Sequence, residues 1–158
     1  MCRDSMKAEV YRLLRLDSFE FKDKDFRPGN VYHATTFHMV FDVKHDLHRK
    51  SRLVAGGHLV EILDDQIYLP TVKSMSVQLL HIIAHKLQLE QSCGDIGNTF
   101  VNTYTNKKVY VKSAGPEFDE HEGKVIIIEK ALYGLKTSCE RFHSHVADSF
   151  RTFGFMPK

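Results

Sequence analysis

Residues 37–43, "FHMVFDV", place Phe37, Met39, Phe41 and Val43 at every second position. That period of two is the signature of a strand with one buried face. A polar stretch, "KHDLHRK", joins it to a second apolar run, "RLVAGG". Two such runs around a short charged connection predict an antiparallel hairpin over residues 37–55 that projects Lys44, Arg49 and Lys50 near its tip. The remaining elements have to fit around it.

Before the hairpin, Ser5 can cap a helix running through Leu14, with Met6, Val10, Leu13 and Leu14 on one face. "KDKDFRPGN" reads as a polar loop. Residues 58–73 mix short strand patterns and break at Pro70. Ser74 or Ser76 can cap a second helix, in which Val77, Leu80, Ile83, Ala84 and Leu87 keep helical spacing to about Leu89. "KKVYVKS" alternates as a strand, and "AGPEFDEHEG" is a loop. "KVIIIEKALYGL" starts as a buried strand. Thr137 and Glu140 have capping-box spacing for a last helix. Its apolar face is Phe142, Val146, Phe150 and Phe153, and Gly154 ends it. The order helix, hairpin, helix, strand, strand, helix predicts an α+β domain. At 158 residues the chain suits one domain, and 42% apolar with 27% charged residues excludes disorder as the default.

A formal net charge of +2 is too small to announce a nucleic-acid partner, so any basic site must be local. Cys2, Cys93 and Cys139 are scattered, with no CxxC pair, which points to reduced thiols and an intracellular setting. "MCRDSMKAEV" is not a signal peptide, and no apolar run approaches a membrane span.

Several clusters have a chemical reading beside a plain one. Lys44, Arg49, Lys50 and Arg52, with His45 and His48, are either a solvated hairpin tip or a clamp on phosphates. Asp95 is a turn acid, or an acid at a strand end that holds a metal against a phosphate. Phe100, five residues on, is a core aromatic or a platform under the sugar of a nucleotide. Gly134 and Lys136 form a turn before a helix, or a close backbone approach to a ligand with a cation beside it. Asp64-Asp65 look like either a two-metal hairpin or an Asp-rich turn. His81 and His85 share a helix face at zinc-compatible spacing, but no Glu or Cys accompanies them. His143 and His145 are two apart, which splits them on a helix.

Taken in order, the motifs resemble the reverse transcriptase domain of copia-type retrotransposons. "RKSRLVAGGH" is similar to that family's fingers segment, K-A-R-L-V-A-x-G. "GDIGNTFVNTYTNKKVYVKSAGPEF" resembles its first catalytic motif with the strand and loop that follow. "KALYGLKTSCERF" resembles its L-Y-G-L-K motif, and "SMKAEVYRLL" its opening helix. The resemblance spans nearly the whole chain. It implies one partial domain over residues 1–158: opening helix and fingers to about residue 75, then part of a polymerase palm.

The resemblance assigns Asp95 as the first metal-ligating, catalytic acid and the backbone carbonyl of Ile96 as a second Mg²⁺ ligand. Phe100 would be the gate that rejects a ribose 2′-OH. Gly134 and Lys136 would support nucleotide and template, and Arg49, Lys50 and Arg52 would meet the triphosphate, with Arg52 or Lys50 in direct contact. It further implies an RNA template, a DNA primer and deoxynucleoside triphosphates as partners. The setting it implies is the cytoplasm or a virus-like particle. The chemistry is attack of a primer 3′-hydroxyl on an α-phosphate, with two Mg²⁺ ions.

Departures accompany it: Gln78, Thr99 and Phe142 stand where many members have Arg, Ala and Trp. The family's aspartate pair follows the L-Y-G-L-K motif, and "GFMPK" comes before that hairpin should. Asp64-Asp65 precede Asp95 and cannot replace it. The expectation is therefore a domain truncated before the aspartate-pair hairpin and inactive alone. The alternative is a nucleic-acid-binding remnant without catalysis.

Overall fold

The computed structural model describes residues 2–60 and 71–155. Asp64 and Asp65 lie outside the described residues. The chain opens with helix α1, Cys2–Arg15, whose Val10 and Leu13 are buried as their spacing predicts. A tight turn leads into β1, Phe19–Lys22. Then come β2, His33–Thr35; β3, Phe37–Val43; and β4, Arg49–Ala55. Helix α2 spans Ser74–Lys86. Strands β5, Tyr104–Val111, and β6, Val125–Lys130, precede helix α3, Ser138–Thr152. Short 3₁₀ turns occupy Gly57–Leu59, Thr99–Asn102 and Pro116–His121. The protein is mixed helix and sheet, α+β in class.

Two sheets organise the described residues. The four-stranded sheet has the order β1-β6-β5-β2, antiparallel except for the β2–β5 edge. The second is the expected hairpin, β3–β4, in register from Phe37 opposite Ala55 to Val43 opposite Arg49. Its tip is a turn over 44–48, closed by the Lys44 amide donating to the His48 carbonyl at 3.0 Å. Phe37 and Met39 pack against the core, whereas Phe41 and Val43 are exposed. One strand pattern thus serves a buried root and a projecting arm. Only Thr36 separates β2 from β3, so the arm grows straight out of the four-stranded sheet.

The sequence reading had no β1 and no β2. Four and three residues are too few for a period of two to stand out. They are strands because β6 and β5 offer them free edges. The core lies between α1, β4 and the inner face of the larger sheet, where Val109, Val111, Ile126 and Ile128 are buried. Phe118 fills its centre.

Two further expectations are corrected. Thr137 makes no capping hydrogen bond; it is buried, and α3 begins at Ser138, whose hydroxyl donates to the Leu132 carbonyl at 2.6 Å. Glu140 instead accepts from the Ser144 hydroxyl at 3.2 Å. Helix α2 has the predicted apolar spacing, yet only Ala84 on it is buried. Leu79, Leu80, Ile82 and Ile83 are exposed. No described helix is long and apolar enough to cross a membrane.

One polar tie fastens α1 to the 3₁₀ turn. The Lys7 ammonium and the Tyr11 hydroxyl each donate to the Asp119 carboxylate at 2.8 Å. The Lys7 bond, then the Tyr11 bond, hold that carboxyl below its ordinary pKa. Its stabilising contribution is full above the unfolded-state value and is lost as pH falls through the lower folded value. Lys7→Ala is expected to move the Asp119 midpoint back up toward the usual carboxylate range, as read by carbon-13 NMR of its side chain. An unmoved midpoint would show that the ammonium is not the cause.

Candidate nucleotide-facing site

The antiparallel register decides where the hairpin cations go, because residues directly opposite share a face. Ser51, Leu53 and Ala55 are buried and face α1, where the Ser5 and Ser51 hydroxyls are 2.7 Å apart. Arg49 belongs to this face. Lys50 and Arg52 belong to the other, with Val54. Alternation along β4 therefore separates Arg49 from Arg52, which the sequence groups, while Lys50 near the tip still reaches the α1 side. Arg49 and Lys50 border a groove shared with α1, together with Lys44, His48 and Arg12. Asp4 and Glu9 border the same groove, so its charge is mixed.

Arg52 has the more specific setting. Its guanidinium carbon stands 6.0 Å from the Tyr133 ring centroid, a cation–π geometry. Its Nη1 is 4.0 Å from the Asp42 carboxylate across the hairpin, a pair that is largely solvated and weak. Tyr133 is met on edge by Phe100, centroids 4.9 Å apart at 75°. Phe100 in turn meets Phe142 of α3 at 6.3 Å and 89°. The line Arg52, Tyr133, Phe100, Phe142 thus joins the hairpin, the turn before α3, the 3₁₀ turn after Asp95, and α3. A cation with an aromatic shelf behind it can take a phosphate and the flat body of a nucleotide. Tyr133 was missed as a site residue. It lay inside the "LYGLK" motif, but one aromatic beside a glycine carries no signal of its own.

Gly134 is positioned by backbone. Its φ is +91°, open to glycine at little cost. A Cβ there would meet the Ala55 carbonyl oxygen at 2.0 Å. A Cβ on Gly57 would meet the Gly134 oxygen, also at 2.0 Å. The Ala55 amide donates to the Tyr133 carbonyl at 2.8 Å. The close approach at Gly134 is therefore to the end of β4, and it sets Tyr133 beside Arg52. Lys136 is exposed just before α3.

Asp95 departs from expectation. Residues 89–96 have no regular secondary structure, so no strand ends at it. β5 is already paired on both sides, by β6 and β2, and leaves this segment no edge. Asp95 is exposed between Gly94 and Gly97, which have nothing within 4 Å of a would-be Cβ. The Ile96 carbonyl accepts the Thr99 hydroxyl at 2.9 Å. The Ile96 side chain borders a groove of about 390 Å³ with Phe142, His145, Val146, Phe150 and Phe153. This is the apolar face of α3 that the sequence marked, and it is open.

Among the described residues, no three His, Cys, Asp or Glu side chains gather where they could hold a metal ion. Asp95 with one carbonyl does not make a two-magnesium centre, which needs several oxygen ligands around each ion. His81 and His85 do not make a zinc site either. Both are exposed, and His81 is bonded through Nδ1 to the Gln91 side-chain oxygen.

No curated protein and no solved structure matches the chain. A family model does, over residues 24–158, described as reverse transcriptase (RNA-dependent DNA polymerase). The matched span contains the hairpin, Asp95, the 3₁₀ turn and α3, and hence the whole line from Arg52 to Phe142. With all but the first 23 residues inside that match, the chain belongs to the reverse transcriptase (RNA-dependent DNA polymerase) family.

Proposed function

We infer that the chain is a fragment of a copia-type retrotransposon reverse transcriptase, a polymerase by descent that retains nucleotide-facing contacts without a complete catalytic centre. The observation that carries this is the line from Arg52 through Tyr133 and Phe100 to Phe142. It gathers three separate motif segments around one cation and one aromatic shelf. In this reading the hairpin serves as fingers, and residues 76–158 as part of a palm. Arg52 and Lys50 take the triphosphate, and Phe100 stands under the sugar. Gly134 and Lys136 support the nucleotide from the turn before α3. Arg49, on the α1 side, reaches a nucleic-acid backbone. Asp95 and the Ile96 carbonyl are what remains of the metal-binding motif. Template RNA, primer DNA and deoxynucleoside triphosphates are the partners, in the cytoplasm or a virus-like particle.

Ligand counting limits the chemistry. Two-metal nucleotidyl transfer needs carboxylates around both ions, and charge stabilisation is most of its catalysis. The isolated chain is expected to bind a primer–template and leave it unextended. The test is primer extension on RNA with Mg²⁺ or Mn²⁺, alongside the Asp95→Ala variant. Template-dependent extension that Asp95→Ala abolishes would overturn the inactivity. Binding should weaken with salt by roughly 0.9 log units per log unit for each duplex phosphate contact. A second reading, a nucleic-acid-binding remnant with no catalytic descent in use, is favoured by the exposed, strandless setting of Asp95. It predicts that Asp95→Ala changes nothing measurable, including nucleotide affinity in the presence of Mg²⁺.

A further inference from the structure

The larger sheet has a second face. Across its four strands, Phe21, Ile126, Val111 and Thr35 form one row, and Glu20, Ile127, Tyr110 and Ala34 the adjacent one. The first row faces the core. The second lies on the opposite face, as strand alternation requires. There the loop between β1 and β2 and the strand β5 enclose a cavity of about 370 Å³. Lys24, Arg27 and Lys112 border it, with the rings of Phe26 and Tyr110 and the ring of Pro28. No described carboxylate lines it, and none of the three cations forms an ion pair with a described residue.

The same chemistry continues beyond the cavity. Lys22 stands 5.9 Å from the Phe26 centroid, and Lys108 stands 5.5 Å from that of Tyr32. Tyr32 meets Tyr110 on edge at 6.5 Å. Glu20 takes up part of this charge by pairing with Lys22, and Asp23 and Asp25 stand exposed in the loop. On the cavity side Arg27 donates a long bond of 3.5 Å to the Lys24 carbonyl, and none of Lys24, Arg27 and Lys112 has an ion pair among the described residues. Val125 and Ile127 are buried at the floor of this face, and the aromatic rings and cations of the loop and of β5 stand around them, exposed or half-buried. Rings interleaved with cations that lack an ion pair suit a chain that offers a flat base and a phosphate at each repeat. A duplex hides its bases, and an anionic lipid headgroup offers the cations a phosphate but offers the rings no base to stack.

We propose that this outer face, centred on Lys24, Arg27, Lys112, Phe26 and Tyr110, binds single-stranded nucleic acid. A base stacks at Phe26 and Tyr110, and the flanking phosphates meet the three cations. The surface goes beyond the polymerase reading and uses none of its residues, so either can fail alone.

The probe is a fluorescein-labelled dodecauridine RNA, followed by anisotropy with the full chain. The triple variant Lys24→Ala, Arg27→Ala, Lys112→Ala should bind at least ten-fold more weakly. It should also flatten the log–log salt slope by about 2, at roughly 0.7 per single-strand contact. Phe26→Ala should cost about ten-fold, the size of one base–aromatic stack, and Phe26→Tyr should not. These side chains are exposed or half-buried, and unchanged circular dichroism melts would exclude unfolding as the cause. In a 4-thiouridine version of the probe, crosslinks should fall within residues 24–32 and 108–112. Crosslinks confined to 44–52 or 133–142 would overturn the proposal. So would unchanged affinity in the triple variant, or equal affinity for a duplex of the same length. Co-sedimentation with phosphatidylserine vesicles in place of RNA binding would assign the face to a membrane and overturn it too.

Discussion

Gly134→Ala is expected to lower the unfolding free energy by about 3 kcal/mol or more. Two costs combine. A non-glycine residue at positive φ loses roughly 1–2 kcal/mol, and overpacking a close contact adds roughly 1–3 kcal/mol. The added Cβ would fall 2.0 Å from the Ala55 carbonyl oxygen. That atom belongs to β4 and cannot rotate away as a side chain can. Gly57→Ala presses on the same crossing from the other side, against the Gly134 oxygen. The two substitutions should therefore be less than additive, since whichever comes first has already opened the crossing. Gly29→Ala is the control, with nothing within 4 Å of its would-be Cβ. Urea denaturation reads all three. A Gly134→Ala midpoint equal to that of the parent would mean that β4 and the turn before α3 do not meet as described. If the proposed nucleotide contacts hold, the variant should also bind nucleotide more weakly, because the crossing is what sets Tyr133 beside Arg52.

Phe118→Ala is the second large loss, about 3–5 kcal/mol, as for other fully buried aromatic truncations. Phe118 is 2% exposed. Its ring centroid lies 5.7 Å from Phe19, 6.1 Å from Phe21 and 5.9 Å from Phe37. Phe19 and Phe21 come from β1, and Phe37 begins the hairpin. One ring from a 3₁₀ turn thus ties the projecting arm to the edge of the four-stranded sheet. Removing it leaves a cavity bounded by three rings that cannot all move inward. Phe118→Leu keeps most of the volume and should cost about 1.5 kcal/mol or less. Against the roughly 5–15 kcal/mol that holds an ordinary domain folded, the alanine variant would be marginal at 25 °C. A loss under about 1 kcal/mol would show that the ring is not the hub its contacts describe.

Local pattern was enough for some elements. The alternation from Phe37 to Val43 located the hairpin, because a strand's two faces are written in its own residues. The spacing of Val10 and Leu13 likewise located α1 and its buried side. The "LYGLK" and "GDIGNTF" motifs carried the family, since their order along the chain is itself a sequence property.

Partnership between distant segments was decided by tertiary structure alone. β1 and β2 exist because β6, more than a hundred residues away in register, and β5, about seventy-six away, present edges to them. Asp95 stands on no strand for the complementary reason, that β5 has no free edge left for its segment. Helical spacing in α2 and α3 marked apolar faces correctly but could not say whether anything covers them, and both faces are largely open. The grouping of Arg49, Lys50 and Arg52 came from their nearness along the chain. The separation of Arg52 from Arg49 came from the pleat of β4, while Arg49 and Lys50 still border one groove. Tyr133 meets Arg52 only because the backbone crossing at Gly134 brings it there. Periodicity records which side of an element avoids water. Which surface meets that side depends on contacts between residues far apart in sequence, and those form only in the folded chain.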